Sequence, residues 1–91
     1  MAGIITIRPE REKPVLNQHP WVFSGAVARM EGDPQSGEIV TLVGKNNRFL
    51  GRGYYNPRSQ IVVRILTWHD EPVDDDWWRR MLGRMAEAQN A

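Results

Sequence analysis

Residues 48–67 constrain the fold more than any other stretch of the chain. Arg48 to Tyr55 and Gln60 to Thr67 are two runs of strand-forming residues, separated by Asn56-Pro57-Arg58-Ser59, which are turn formers by type. Their pattern also argues a register. If Asn56 faces Gln60, then Phe49, Gly51, Gly53 and Tyr55 share one face with Ile61, Val63, Ile65 and Thr67. Leu50, Arg52 and Tyr54 then share the other with Val62, Arg64 and Leu66. The first face is the core face, and both arginines point outward. A slip of one residue would set Arg52 among Ile61, Val63 and Ile65, burying a charge without a partner. The three-residue loop this register requires, Pro57-Arg58-Ser59, lacks the glycine such loops usually carry.

The rest of the chain repeats the theme of short strands and frequent turns. Ile4 to Arg8 reads as a first strand ended by Pro9, and Glu12 to Gln18 as a short helix with Pro14 in its first turn. His19-Pro20 forces an extended step, because a residue before proline is pushed out of the helical region. Trp21 to Ala28 reads as a second strand broken at Gly25, Glu31 to Gly37 as a loop, and Glu38 to Val43 as a strand. The last leads through the turn Gly44-Lys45-Asn46-Asn47 into the hairpin. Five or more short strands with one or two small helices predict a mainly β chain, a small barrel.

From His69 the character changes. Asp70 to Asp76 is acidic and contains Pro72, and Asp74, Asp75 or Asp76 is placed to cap a helix beginning near Trp77. Trp78, Met81, Leu82 and Met85 fall at helical spacing and form one apolar stripe. The predicted organisation is a barrel over 1–68, followed by an acidic linker and the start of a helix over 69–91.

Charge divides along the same line. Residues 1–68 carry nine basic side chains against five acidic, and residues 69–91 three basic against six acidic. The modest positive surplus of the barrel suits phosphate contacts. At 91 residues the chain has room for one core and none for a separate catalytic domain. It has no cysteine, so disulfides and thiolate metal sites are excluded. His19 and His69 are its only imidazoles, with no third ligand at metal-site spacing. The chain has no nucleophile elbow, phosphate loop or glycine-rich methyl-donor motif. The start MAGIITIRPE lacks the features of a signal peptide, and no apolar run spans a bilayer, so a cytoplasmic protein is expected.

Two strings, HPWVFSG (His19 to Gly25) and GRGYYNPRSQI (Gly51 to Ile61), resemble the N-terminal PUA-like domain of S-adenosylmethionine-dependent methyltransferases that modify a cytosine of large-subunit ribosomal RNA. The resemblance runs from about Ile4 to Thr67. It implies a PUA-like small β-barrel with a short helix and a C-terminal linker helix, and ribosomal RNA and the following domains of the same protein as partners. In the parent enzyme it implies a cysteine nucleophile and S-adenosylmethionine as methyl donor. This chain, without cysteine, is expected to hold no catalytic site and no cofactor of its own. It departs from the family's pattern just before the histidine, where Gln18 stands in place of a usual glycine and few basic residues precede it.

On that reading the contact candidates are Arg52, Arg64, Tyr54, Arg58, Asn56, Trp21, His19 and Lys13. Arg52 and Arg64 on paired strands make a positive patch that grips phosphates, with Tyr54 beside them to stack on a base. The competing use is two solvated strand residues, one paired with Glu38. Arg58 sits at a loop tip; Asn56 either reaches RNA or supplies turn geometry. Lys13 and Arg11 lie near the short helix. His19 is either a contact or a structural hydrogen-bonder. Trp21 either stacks on a base or, flanked by Val22 and Phe23, joins the core. The rival for the whole domain is a packing module that braces the next domain, and the apolar stripe of the last helix could also support self-association.

Overall fold

The computed structural model describes the backbone of residues 3–90 and the side chains of residues 3–83. Six strands and two α-helices follow in chain order: β1 (Ile4–Ile7), α1 (Glu12–Leu16), β2 (Trp21–Phe23), β3 (Val27–Glu31), β4 (Ile39–Val43), β5 (Phe49–Tyr55), β6 (Ile61–Thr67) and α2 (Asp75–Asn90). Single 3-10 turns precede α1, join β2 to β3 and join β4 to β5. The strands form one sheet in the order β2-β6-β5-β4-β1-β3, antiparallel except for the parallel pair β1 and β4.

The segment expected as one broken strand, Trp21 to Ala28, is two strands at opposite edges of this sheet. β2 pairs with β6, and β3 pairs with β1. The 3-10 turn Ser24–Ala26 carries the chain from one edge to the other, which requires the sheet to curl into a half-barrel.

Bulges supply the curl. In four of the five pairings one residue is left without a partner: Ala28 in β3, Leu50 in β5, Val62 and Leu66 in β6. An extra residue bends its strand and raises the local twist. It also breaks strict alternation, which is why Leu50 and Val62, expected on the outer face, are buried. The hairpin register is displaced by two residues from the expectation. Tyr55 faces Val63 and Tyr54 faces Arg64, so the faces are kept but the loop is wider. With no glycine to make a tight turn, the loop is closed by side chains instead. Asn56 Oδ1 accepts from the Arg58 N–H at 3.1 Å, and Ser59 Oγ accepts from the Ile61 N–H at 3.1 Å.

The concave side holds the core: Ile5, Ile7, Val22, Val40, Leu42, Leu50, Tyr55, Val62, Val63 and Ile65, closed by Val15 of α1. Trp68 packs against this cluster and its indole N–H donates to the Val15 carbonyl at 2.9 Å, fixing α1 on the sheet. Gly53 is required where β5 meets β6. A Cβ there would lie 2.8 Å from the Ile65 Cα and 2.9 Å from the Arg64 carbonyl carbon, both backbone atoms of a central strand.

Asp74 caps α2, accepting from the Trp77 N–H at 2.9 Å. The helix turns a different face to the barrel than the stripe suggested. Trp77, outside that stripe, is buried, whereas Trp78 and Leu82 are exposed. Met85 lies outside the residues whose side chains are described. The strand-side anchor for this segment is Arg52. Its guanidinium donates to Thr41 Oγ1 at 3.1 Å, to Asp70 Oδ1 at 3.2 Å and to the Glu71 carbonyl. Arg80 adds an ion pair to Glu71 at 3.7 Å. Residues 69–73 are therefore strapped to the sheet.

Candidate nucleic-acid interface

The convex face of the β2-β6-β5 edge brings most of the sequence-predicted residues together. Trp21 faces Arg64 across one ladder, and Arg64 faces Tyr54 across the next. The three side chains thus form a row perpendicular to the strands, with neighbouring backbones about 4.8 Å apart. All three are exposed. Arg64 has no ionic partner among the described residues, nor do Arg58, Arg11 and Lys13. The row therefore offers two aromatic faces with a free guanidinium between them.

Local chemistry decides which side chains face out. Strand alternation leaves one of Trp21, Val22 and Phe23 in a phase different from the other two. Val22 is the one buried, so Trp21 at 45% exposure and Phe23 at 48% both point outward. Trp21 is not a core residue; the smaller valine fills the tight space opposite Val63. Phe23 was not among the residues singled out from the sequence, although alternation ties it to Trp21.

His19 is held by a helix C-terminal motif. The Gln18 N–H donates to the Val15 carbonyl at 3.0 Å and the His19 N–H to the Pro14 carbonyl at 2.9 Å. With Gln18 at φ 63°, this is a Schellman ending in which the left-handed residue is not glycine. The turn sets the His19 ring edge-to-face with the Trp21 indole, centroids 5.9 Å apart at 81°. His19 Nδ1 lies 3.4 Å from the Trp21 backbone nitrogen, accepting its N–H.

Two grooves flank the row. On the hairpin side, Tyr54, Asn56, Ser59, Ile61 and Arg64 line a polar one of about 260 Å³. On the α1 side, Arg11, Pro14, Val15, His19, Trp21, Val22, Phe23 and Ala26 line a more apolar one of about 280 Å³. Lys13 is exposed on α1, and Arg58 is exposed at the hairpin tip.

Arg52 does not join this surface. Its strand neighbours are Thr41 and Thr67, not Arg64, and its side chain is only 20% exposed beneath residues 69–73. The expected partner Glu38 is engaged elsewhere, accepting from the Gln35 N–H. The strap that covers Arg52 comes from 18 and 19 positions along the chain, beyond what hairpin patterning reports.

The curled sheet, with α1 closing its core and Trp68 at its end, coincides with a known sequence family. A profile described as "PUA-like domain" matches residues 5–68, more than two thirds of the chain. This chain belongs to the PUA-like domain family. Proteins described as ribosomal RNA large subunit methyltransferase I, from Yersinia pseudotuberculosis and Yersinia pestis, are 44% identical over 81 residues, covering 88% of this chain and 20% of theirs. The PUA-like chain thus spans about a fifth of the length of these relatives. A solved structure assigned as a SAM-dependent methyltransferase from Streptococcus mutans shares the fold, with a TM-score of 0.68 at 14% identity, over 89% of this chain and 20% of that one. Among the described residues of the PUA-like chain, no helix is long and apolar enough to cross a membrane. No group of three or more metal-ligating side chains gathers among them either.

Proposed function

We propose that this PUA-like domain docks a large-subunit ribosomal RNA methyltransferase on its RNA, through the row Trp21–Arg64–Tyr54. The observation that carries the reading is the Arg64 guanidinium, without an ionic partner among the described residues, held between two exposed aromatics, with Arg11 lining the groove beside Trp21 and Lys13 and Arg58 exposed on α1 and at the hairpin tip. Arginine grips a phosphate through paired N–H donors, and an aromatic face stacks on a base whatever its identity. Together they suit RNA structure, which is read through backbone shape and unpaired bases. Asn56 and His19 act chiefly by shaping the two ends of the row. The relatives' names supply the substrate class, large-subunit ribosomal RNA; on the resemblance drawn from the sequence, S-adenosylmethionine would provide the methyl group and a cytosine would receive it in a longer parent, in a domain outside these residues. Such an enzyme would work in the cytoplasm.

The test is binding of the 91-residue chain to fragments of large-subunit ribosomal RNA and to a DNA duplex, at low and moderate salt. Salt-sensitive binding that favours structured RNA is expected. No binding to RNA at low salt would remove the docking role.

A second role is favoured by a different observation. Buried Trp77 and the Arg52 strap hold α2 to the barrel, while Trp78 (44% exposed) and Leu82 (59% exposed) face away. This outward apolar stripe offers a packing surface to the following domains of the parent. In the parent, Trp78→Ala with Leu82→Ala would then loosen the domains, read as easier proteolysis between them, without changing RNA affinity of the isolated chain.

A further inference from the structure

We infer that β3 is a docking edge for a second copy of this chain, the two copies pairing β3 to β3 about a two-fold axis at Met30. This does not depend on the RNA-docking role, because β3 lies at the other end of the strand order from the β2-β6-β5 row.

Backbone phase decides what the edge offers. The Thr41 N–H donates to the Gly3 carbonyl at 3.0 Å, and the Arg8 N–H to the Ala26 carbonyl at 2.8 Å. Alternate residues of β1 thus serve opposite neighbours: Ile5 turns its backbone groups to β4, and Ile4 and Thr6 turn theirs to β3. Arg29 and Glu31, opposite Thr6 and Ile4, direct their N–H and C=O at β1. Met30 directs both of its groups at the open edge, where no strand among the described residues meets them. Its side chain is 43% exposed although its cross-strand neighbour Ile5 is fully buried, since no further strand covers the core face there. An edge of this kind is a template for another strand.

Side-chain pairing selects the occupant. β3 reads Val-Ala-Arg-Met-Glu, so an antiparallel copy centred on Met30 sets each Arg29 opposite the other copy's Glu31. These are non-hydrogen-bonded positions, where cross-strand side chains stand closest and opposite charges attract. At the centre the two Met30 residues exchange both backbone hydrogen bonds and cover each other's side chains. Centring the pair on Arg29 or on Glu31 would instead bring like charges together at the close position. Centring it on Ala28 would leave both charges without an opposite, and Ala28 is the bulged residue. The Met30 register is self-complementary, as a two-fold interface requires. Within one copy Arg29 and Glu31 already meet at 3.2 Å, so pairing joins four charges of alternating sign. Gly32, at φ 83°, ends the extended backbone and keeps the ladder short. The interface is therefore small and the dimer weak, with Kd between about 10 μM and 1 mM.

The test is sedimentation velocity of the 91-residue chain over that concentration range, where a monomer–dimer equilibrium is expected. Arg29→Glu alone, or Glu31→Arg alone, should weaken it about 10- to 100-fold, since each turns both attractive cross-strand pairs into repulsive ones. Arg29→Glu with Glu31→Arg in one chain should restore the wild-type constant. Mixing the two single variants should give a heterodimer, because one then offers only acids and the other only bases at these positions. Both sites are exposed, so all variants should keep the wild-type Tm. A chain that stays monomeric up to about 1 mM would overturn the β3 edge. So would a dimer that ignores the charge swaps, or one lost instead in Trp78→Ala with Leu82→Ala.

Discussion

Replacing Arg52 by alanine separates a structural arginine from a contact arginine, because the two uses predict opposite readouts. The guanidinium makes hydrogen bonds to Thr41 Oγ1, Asp70 Oδ1 and the Glu71 carbonyl, and the side chain is 20% exposed. A hydrogen bond to a charged group contributes about 1.5–3 kcal/mol when well buried. Asp70 is 74% exposed, so its share is screened to about 0.5 kcal/mol. Thr41 and the Glu71 carbonyl regain water once the side chain is gone, leaving about 1 kcal/mol each. The sum is about 2–3 kcal/mol, which in a domain of this size lowers Tm by roughly 10–20 °C. Residues 69–73 should come away from the sheet, and the tryptophan fluorescence should shift to the red as Trp77 meets water. Arg52→Lys keeps the charge but not the fork, so it should recover less than half of the loss. RNA affinity, measured below the lowered Tm, should stay within about twofold of wild type, and the slope of log K against log salt should not change. An unchanged Tm with weaker, less salt-dependent RNA binding would refute the strap and return Arg52 to the contact surface.

Three further outcomes follow from the packing. Gln18→Gly should raise stability by about 1 kcal/mol, seen as a higher Tm, because glycine carries no Cβ penalty at φ 63°. No gain would mean that the Schellman ending is not strained by glutamine. Gly53→Ala should cost about 3 kcal/mol in denaturant unfolding, since the new Cβ meets β6 backbone that cannot move aside; a cost near zero would contradict the close approach of the strands. Trp77→Ala should strip hydrogen-exchange protection from α2 while the β4–β6 amides keep theirs, as Trp77 is 3% exposed and anchors the helix. Unchanged protection of α2 would place the anchor elsewhere.

What the sequence disclosed and what it hid follow from the range of each interaction. Turn residues and strand formers located β1, β4, β5 and β6 to within a residue, and period-two patterning placed Arg64 and Tyr54 outward, as observed. Alternation alone cannot say which phase faces the core, so Trp21-Val22-Phe23 was open until Val22 proved to be the inward residue. The bulges at Leu50 and Val62 left no sequence mark, because an extra strand residue is defined only by its partner strand. Ser24-Gly25-Ala26 signalled a break, but whether the chain resumes beside the same neighbour or crosses to the far edge depends on the curl of the whole sheet. The burial of Arg52 was the least legible. Two of its three partners, Asp70 and Glu71, lie in a segment whose composition reads as a free acidic linker, and only the fold brings that segment back. Gln18 was visible as a departure from the family's usual glycine; its left-handed φ gives that departure a physical cost.

The most direct test of the central claim is the salt dependence of RNA binding in wild type and in Arg64→Ala. Arg64 is exposed and has no ionic partner among the described residues, so removing it should leave Tm almost unchanged. If Arg64 neutralises one phosphate, the slope of log K against log salt falls in magnitude by about 0.7–0.9, and affinity drops across all RNA sequences alike. An Arg64→Ala chain with wild-type affinity and wild-type slope would show that RNA is held by some other face of the domain.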